Sequence, residues 1–418
     1  MRASTVFRRW TALFGLTALT AACGSLFGVD FDDARRADAY GPDAPFGNGG
    51  NGGDGGVDAS DGDNGPQPPG PDGGCASADR VLCNGSCVRR NDPAYGCGSC
   101  TACPLPSGAV ATTCGISSCS FTCPSGKKPQ GSACVAKTWT GKKVTPQAIM
   151  GIWGTGKNDI YTVGLGGIYH FDGSGEWKPQ SSQPKAGKAK GASLMGPSPQ
   201  SIIAIGGGAP YLMTSPEHWT PWNELGSCAD AQAVWANGLD DIYAVGTNAI
   251  CHSKNRGPFT TKFQPPDTMS AVWGSSTGTI YAVGSGNTAP GIIYASTGDD
   301  VWKQVGNTHA ALYGIWGTGD DIYAVGATMI LRKHGTGEFV QQDTPTGGTY
   351  YGVWGSGPDD LYIVGSRGRI LHSSNGSVWT EESPSADAVD FYAVWGTGPD
   401  DVYAAGATSD GGWIFHLE

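Results

Sequence analysis

Apolar residues along this chain fall into four regimes. Residues 10–22 form one short, mostly apolar run without charge. Residues 24–74 hold few large apolar side chains. Residues 75–136 carry cysteine where a small domain would carry aliphatics. From residue 137 onwards, clusters of Val, Ile, Trp and Tyr recur, each four to six residues long and bounded by Gly, Asp, Asn or Ser. Clusters that short, rich in β-branched and aromatic residues and framed by turn formers, predict strands joined by tight hairpins.

The clusters repeat. Gly352-Val353-Trp354-Gly355-Ser356-Gly357-Pro358-Asp359-Asp360-Leu361-Tyr362-Ile363-Val364-Gly365 returns as Gly314-Ile315-Trp316-Gly317 with Asp320-Asp321-Ile322-Tyr323, and as Ala393-Val394-Trp395-Gly396 with Asp400-Asp401-Val402-Tyr403. Further copies begin at Gly151, Ala233 and Ala271, and a degraded one at Ser193. The anchor positions 153, 195, 235, 273, 316, 354 and 395 are spaced by 42, 40, 38, 43, 38 and 41 residues. A period near 40 with four short strands per copy predicts a β-propeller. In the sixth copy the expected strands are Tyr350 to Gly355, Leu361 to Val364, Arg369 to Ser373 and Val378 to Glu382, here called a, b, c and d. The seventh copy ends on a strand c, Trp413 to Glu418, with no strand d. Val135 to Thr140, ahead of the first copy, resembles a strand d. The expected fold is therefore all-β: a seven-bladed propeller closed by an N-terminal strand, so that no sheet edge is left open.

The anchor tryptophans are expected to be wedges between sheets, the alternative being a ring of sugar-stacking platforms. The Asp pairs Asp240-Asp241, Asp320-Asp321, Asp359-Asp360 and Asp400-Asp401 are expected to bond turn amides, the alternative being calcium ligands. The turns Asp172-Gly173-Ser174-Gly175-Glu176-Trp177 and Asn375-Gly376-Ser377-Val378-Trp379 resemble the Asp-box (BNR) hairpin of sialidase-like propellers. The whole repeat resembles the Trp-Gly-Ser-Gly-Pro-Asp-Asp-Val-Tyr-Ala-Val-Gly lipoproteins of myxobacterial type, over about two thirds of the chain. That resemblance implies a fold and a location more than an activity.

Composition sharpens the picture. Glycine contributes 68 of 418 residues, only 15% are charged and the formal net charge is −11. An acidic chain without a basic face argues against nucleic acid. Arg2, Arg8 and Arg9 precede the apolar run, which is too short to span a bilayer. It ends Leu19-Thr20-Ala21-Ala22-Cys23 and resembles a bacterial lipobox, which implies a signal peptide over 1–23 and lipid on Cys23. Residues 24–74 carry ten Asp and two Arg. They cannot bury enough apolar surface to fold, and are expected to form a disordered, charge-extended tether. The segment 75–136 holds Cys75, Cys83, Cys87, Cys97, Cys100, Cys103, Cys114, Cys119, Cys123 and Cys134. In an exported chain this is a disulfide framework whose pairing sequence alone leaves open; zinc or an iron–sulfur cluster on Cys97, Cys100 and Cys103 is the rival. Cys83-Asn84-Gly85-Ser86-Cys87, with Cys97, Cys100 and Cys103, resembles the cysteine-rich repeats of Stig1-like secreted proteins. Cys228 and Cys251 are left in the propeller, 137–418, and a bond between them is one expectation.

Function is expected at the loop end of the channel, where the d–a and b–c loops vary while the a–b turns repeat. Candidate ligand residues there are Lys185, Lys188, Lys190, His309, Tyr350, Tyr351, Arg367, Arg369 and Asp387. No His-Glu-x-x-His, P-loop or Arg-Ile-Pro motif is present, and no cofactor or metal is expected. The expectation is a cell-envelope lipoprotein, at the outer membrane or cell surface, whose propeller binds a glycan or an envelope protein. A carbohydrate-active glycosidase or lyase with a loop-built site, or a purely structural surface component, is the alternative.

Overall fold

The computed structural model describes residues 66–114, 118–124, 126–180, 192–196, 201–206, 210–215, 218–222, 228, 230–286, 290–345, 347–384 and 389–418. Cys23, the signal segment, most of the tether, Lys185, Lys188, Lys190 and Asp387 lie outside them. Two compact units are present, one over Trp139–Leu417 and one that includes the cysteine module and ends at Thr138.

The larger unit holds seven antiparallel four-stranded sheets. Blade six shows the pattern: strand a Tyr350–Gly357, b Asp360–Gly365, c Ile370–Ser373 and d Thr380–Glu381, paired in that order. The first strand of each sheet packs against the first strand of the next, and Asp390–Gly398 of blade seven packs against Ile149–Gly156 of blade one. The seven first strands thus form the inner ring of a closed propeller. Blade seven is completed by the N-terminal strand Trp139–Thr145, which pairs with Gly411–Leu417 in the register Leu417↔Trp139, Phe415↔Gly141.

The repeat sequence explains the packing. Strands a and b are buried on both faces, so they read as continuous apolar runs and not as alternation. The anchor tryptophans Trp153, Trp235, Trp273, Trp316, Trp354 and Trp395 are only 1–4% exposed. They are wedges, too deeply buried to serve as sugar platforms. Each wedge needs room in the neighbouring blade, and the Gly after the anchor supplies it. A methyl group added at Gly355 would sit 2.9 Å from the Trp316 ring, and one at Gly396 would sit 2.8 Å from Trp354. Trp395 closes the circle against Gly154. An outer ring of aromatics adds a second seam. Trp219, Trp302, Phe339, Trp379 and Trp139 meet Tyr161, Tyr243, Tyr281, Tyr323 and Tyr362 of the preceding blade edge-on, at centroid distances of 6.2–6.4 Å.

The cysteine module is three two-stranded hairpins and one short 3-10 turn, Pro93–Gly98. Its disulfides are Cys75–Cys87, Cys83–Cys100, Cys97–Cys114, Cys103–Cys119 and Cys123–Cys134. Its buried apolar set is small: Cys83, Cys87, Val88 and Cys103. Cross-links therefore take the place of an aliphatic core. The sulfurs of Cys97, Cys103 and Cys119 lie within 4.8 Å of one another, yet each is bonded to a partner sulfur, so this cluster is no metal site.

Candidate functional site

The two ends of the propeller differ in chemistry. At the a–b turn end the same cluster recurs. In blade six Asp360 accepts from Ser356 Oγ at 2.5 Å and bonds His372 Nε2 at 2.8 Å, and the His372 ring stacks on Tyr362 at 4.4 Å. Blades one, three and seven repeat this with Asp159–His170–Tyr161, Asp241–His252–Tyr243 and Asp401–His416–Tyr403. Blade five substitutes Arg332, 2.8 Å from Asp321 and 5.7 Å over the Tyr323 ring. This corrects the expectation for the Asp pairs. The second Asp of each pair holds a strand-c cation or imidazole instead of turn amides, because it starts strand b and its carboxylate faces strand c. The amide-bonding role falls to the c–d turns, where Asn375 Oδ1 accepts from Ser377 and Val378, and Asp172 Oδ1 from Ser174.

These clusters carry strong shifts. Burial disfavours the charged form of His372, but its bonds to Asp360 and Glu382 outweigh this and push its pKa up to about 9. Burial raises Asp159 and Asp401, but the bonds from His170 and His416 outweigh it and hold both below the ordinary carboxylate value. Shifted groups in an unassigned protein are candidate catalysts. Here the shifted groups belong to a cluster that recurs at equivalent positions in blades one, three, five, six and seven, which is the mark of a scaffold.

The loop end breaks the repeat. In six blades the residue three before the anchor is skipped in the pairing of strands a and b: Met150, Gln232, Ser270, Tyr313, Tyr351 and Tyr392. Such a bulge leaves one residue unpaired and re-aims its side chain. These residues lie on the innermost strands near the loop end, where Met150 and Ser270 are fully buried. Blades three and four present Gln232 and Ser270; blades five to seven present three tyrosines in contact. Tyr313 and Tyr351 have centroids 5.5 Å apart and planes at 44°, and Tyr351 and Tyr392 are 5.3 Å apart at 55°. Tyr313 is buried, while Tyr351 and Tyr392 are half-buried. Asp390, at the head of strand a in blade seven, accepts from the Arg367 amide in the b–c loop of blade six at 2.9 Å. Burial raises the Tyr351 pKa, the Asp390 charge adds to it, and the value reaches about 12; Tyr392 rises for the same two reasons.

The expected ligand residues scatter relative to this patch. Tyr351 is in it and Arg367 borders it. Tyr350 is fully buried, so it is corrected from rim to core: it precedes the bulge and points into the sheet packing. Arg369 is mostly covered, with Nε 3.8 Å from Glu381. His309 is exposed in the loop before Leu312–Thr318. Tyr313, Tyr392 and Asp390 were not anticipated. Elsewhere at this end Cys228 and Cys251 form a disulfide, beside a cavity of about 100 Å³ lined by Asp230, Val245, Thr247 and Ala249. That volume suits a few waters.

No protein-family model matches the chain, and no curated protein matches it. Among solved structures it is similar to YCF48 bound to D1 peptide, with a TM-score of 0.54 and 16% identity over 67% of this chain and 97% of that one. It is similar to YCF48 from Cyanidioschyzon merolae, with a TM-score of 0.53 and 16% identity over 66% and 98%. A streptogramin B lyase aligns with a TM-score of 0.57 and 15% identity over 67% and 98%. Likeness at such identities establishes the propeller fold and carries no activity with it.

Proposed function

We propose that this chain is a cell-envelope lipoprotein, anchored through lipid on Cys23, whose propeller binds a partner at the loop end of its channel. The observation that carries the reading is the contiguous Tyr313–Tyr351–Tyr392 patch. In a molecule built from near-identical copies, a patch confined to three adjacent blades is what packing alone does not require. Half-buried tyrosines, with an apolar face and a polar tip, suit recognition. A catalytic reading would need convergent titratable groups with shifted pKa values; the repeated clusters at the other end hold shifted His and Asp groups, while at the channel mouth Tyr351 and Tyr392 are raised and stay neutral. YCF48 is bound to a peptide in its solved structure. That is a property of YCF48, and it makes a protein partner the first one to try, ahead of a glycan.

The test is to present the full chain to envelope-protein, peptide and glycan arrays, alongside Tyr351→Ala and Cys23→Ala. The expected outcome is a protein or peptide ligand whose retention drops about tenfold or more in Tyr351→Ala, with Cys23→Ala recovered from the soluble fraction of cells. Polysaccharide turnover without retention, or retention indifferent to Tyr351, would overturn the binding site. A Cys23→Ala chain that stays in the membrane fraction would overturn the anchor.

A further inference from the structure

Binding at the loop end leaves the chemistry of the partner open. Resting on that binding role, we infer that the tyrosine patch receives a cation, a lysine-type ammonium of the partner protein, on the uncovered ring surface of Tyr351 and Tyr392 and beside the carboxylate of Asp390, with the buried Tyr313 next to them. Three features point there. First, the rings do not form a platform. Successive planes are tilted by 44° and 55°, so the three rings, carried by three adjacent blades, follow an arc without offering a flat platform. A pyranose ring stacks on a broad flat face, whereas a compact cation needs only the uncovered part of a ring face and gains from a second ring close by. Second, a carboxylate stands at the edge of the arc. Asp390 spends one oxygen on the Arg367 amide, and the other has no hydrogen-bond partner among the described residues. It lies close enough to Tyr351 and Tyr392 to raise both. Both phenols therefore stay neutral in the physiological range, and the only formal charge on the arc is negative. Third, the neighbouring cations are placed differently. Arg369 is turned toward Glu381 and covers Gly348, while Arg367 is exposed and borders the arc without closing it. The chain as a whole, at −11, draws cationic partners inward.

Arg367 separates the ligand classes. Its charge repels a cation and attracts an anion, so its removal moves the two in opposite directions. Asp390→Asn removes charge but keeps an oxygen acceptor for the Arg367 amide, so the loop retains its anchor.

The experiment titrates the full chain with n-butylammonium, methyl β-glucoside and acetate, followed by calorimetry and by tyrosine ring chemical shifts. It includes Asp390→Asn, Tyr351→Ala and Arg367→Ala, each checked for an unchanged melting temperature. Butylammonium is expected to bind weakly, to lose about tenfold in Asp390→Asn and in Tyr351→Ala, and to gain a few-fold in Arg367→Ala. A glucoside or acetate that binds as well as butylammonium overturns the inference, as does ammonium binding unaffected by Asp390→Asn, or no ammonium binding at all. An array partner that depends on Tyr351 but not on Asp390 overturns the cation alone and leaves the binding role standing. A partner indifferent to both overturns the two together.

Discussion

The wedge between blades is a two-residue contract, a tryptophan on one strand and a glycine on the next. Five of its copies place Trp235, Trp273, Trp316, Trp354 and Trp395 against Gly274, Gly317, Gly355, Gly396 and Gly154. Where the tryptophan is missing, so is the glycine: blade two has Met195 at the anchor, and blade three answers with Ala236, itself fully buried. The sulfur chain of Met195 does not carry a rigid ring into the neighbouring strand, so a Cβ fits there. Restoring one side alone should overpack the seam. Met195→Trp is expected to lower stability by about 1–3 kcal/mol, and Ala236→Gly in the same chain to recover part of that loss. Urea unfolding of the four chains of this cycle gives the coupling. Additivity within about 0.5 kcal/mol would show that residues 195 and 236 do not share a seam.

Within one blade, the Tyr on strand b and the His on strand c are direct cross-strand partners: Tyr161↔His170, Tyr243↔His252, Tyr362↔His372 and Tyr403↔His416. Blade five pairs Tyr323 with Arg332. The Asp two residues before each Tyr then meets the same imidazole or guanidinium. The pH dependence comes from the two directions of shift. His372 titrates at about 9 in the fold, above the ordinary imidazole value near 6.5, so its contribution is complete below that ordinary value and is lost as pH rises through 9. Asp159 and Asp401 lie below their ordinary value, so their contribution is present above it and is lost as pH falls through the lowered values. Melting temperature should therefore fall on both flanks. His372→Gln is expected to start lower at pH 6 and to flatten the decline between pH 6.5 and 9.5 relative to the unaltered chain. Parallel slopes in circular-dichroism melts of the two chains would rule His372 out as the source. The hairpins were legible in the sequence because Gly-Pro-Asp-Asp and Asn-Gly mark their turns. The Asp–His bond was not, because His stands 11, 11, 12 and 15 residues after its Asp in the four blades. Only the register turns those unequal spacings into one contact.

At the scale of the whole molecule, the ring and its closing strand could be read from the spacing of the anchors and from the missing last strand, because a propeller must conserve both. The proposed binding face could not, since a bulge decides which of two adjacent tyrosines is left half-buried. Tyr350 and Tyr351 look alike in sequence, yet one is core and the other belongs to the half-buried tyrosine patch. The column of residues three before the anchor, ending Tyr313, Tyr351, Tyr392, held the signal, and it becomes visible only once the copies are aligned on their bulges. Closure is what keeps those three blades in register with the rest. Trp139–Thr145 gives blade seven its outer strand, Lys142 Nζ reaches the Gly175 carbonyl of blade one at 2.7 Å, and Lys143 holds Asp410 at 3.0 Å. Gly141 leaves the space that the Phe415 ring occupies, since a methyl group there would lie 2.5 Å from it. A chain beginning at Pro146 would leave Gly411–Leu417 as an open edge and uncover Phe415 and Leu417. Open, apolar edges recruit other strands. Such a chain is expected to unfold over a broader range and at least about 2 °C lower, as loss of one or more kcal/mol implies for a domain of this size, and to form dimers or larger species in light scattering. Adding back a peptide of residues 137–146 should restore the monomer, since it supplies the missing strand and nothing else. A truncated chain that is monomeric and melts with the intact one would mean that the ring is held by its seams alone, without the latch.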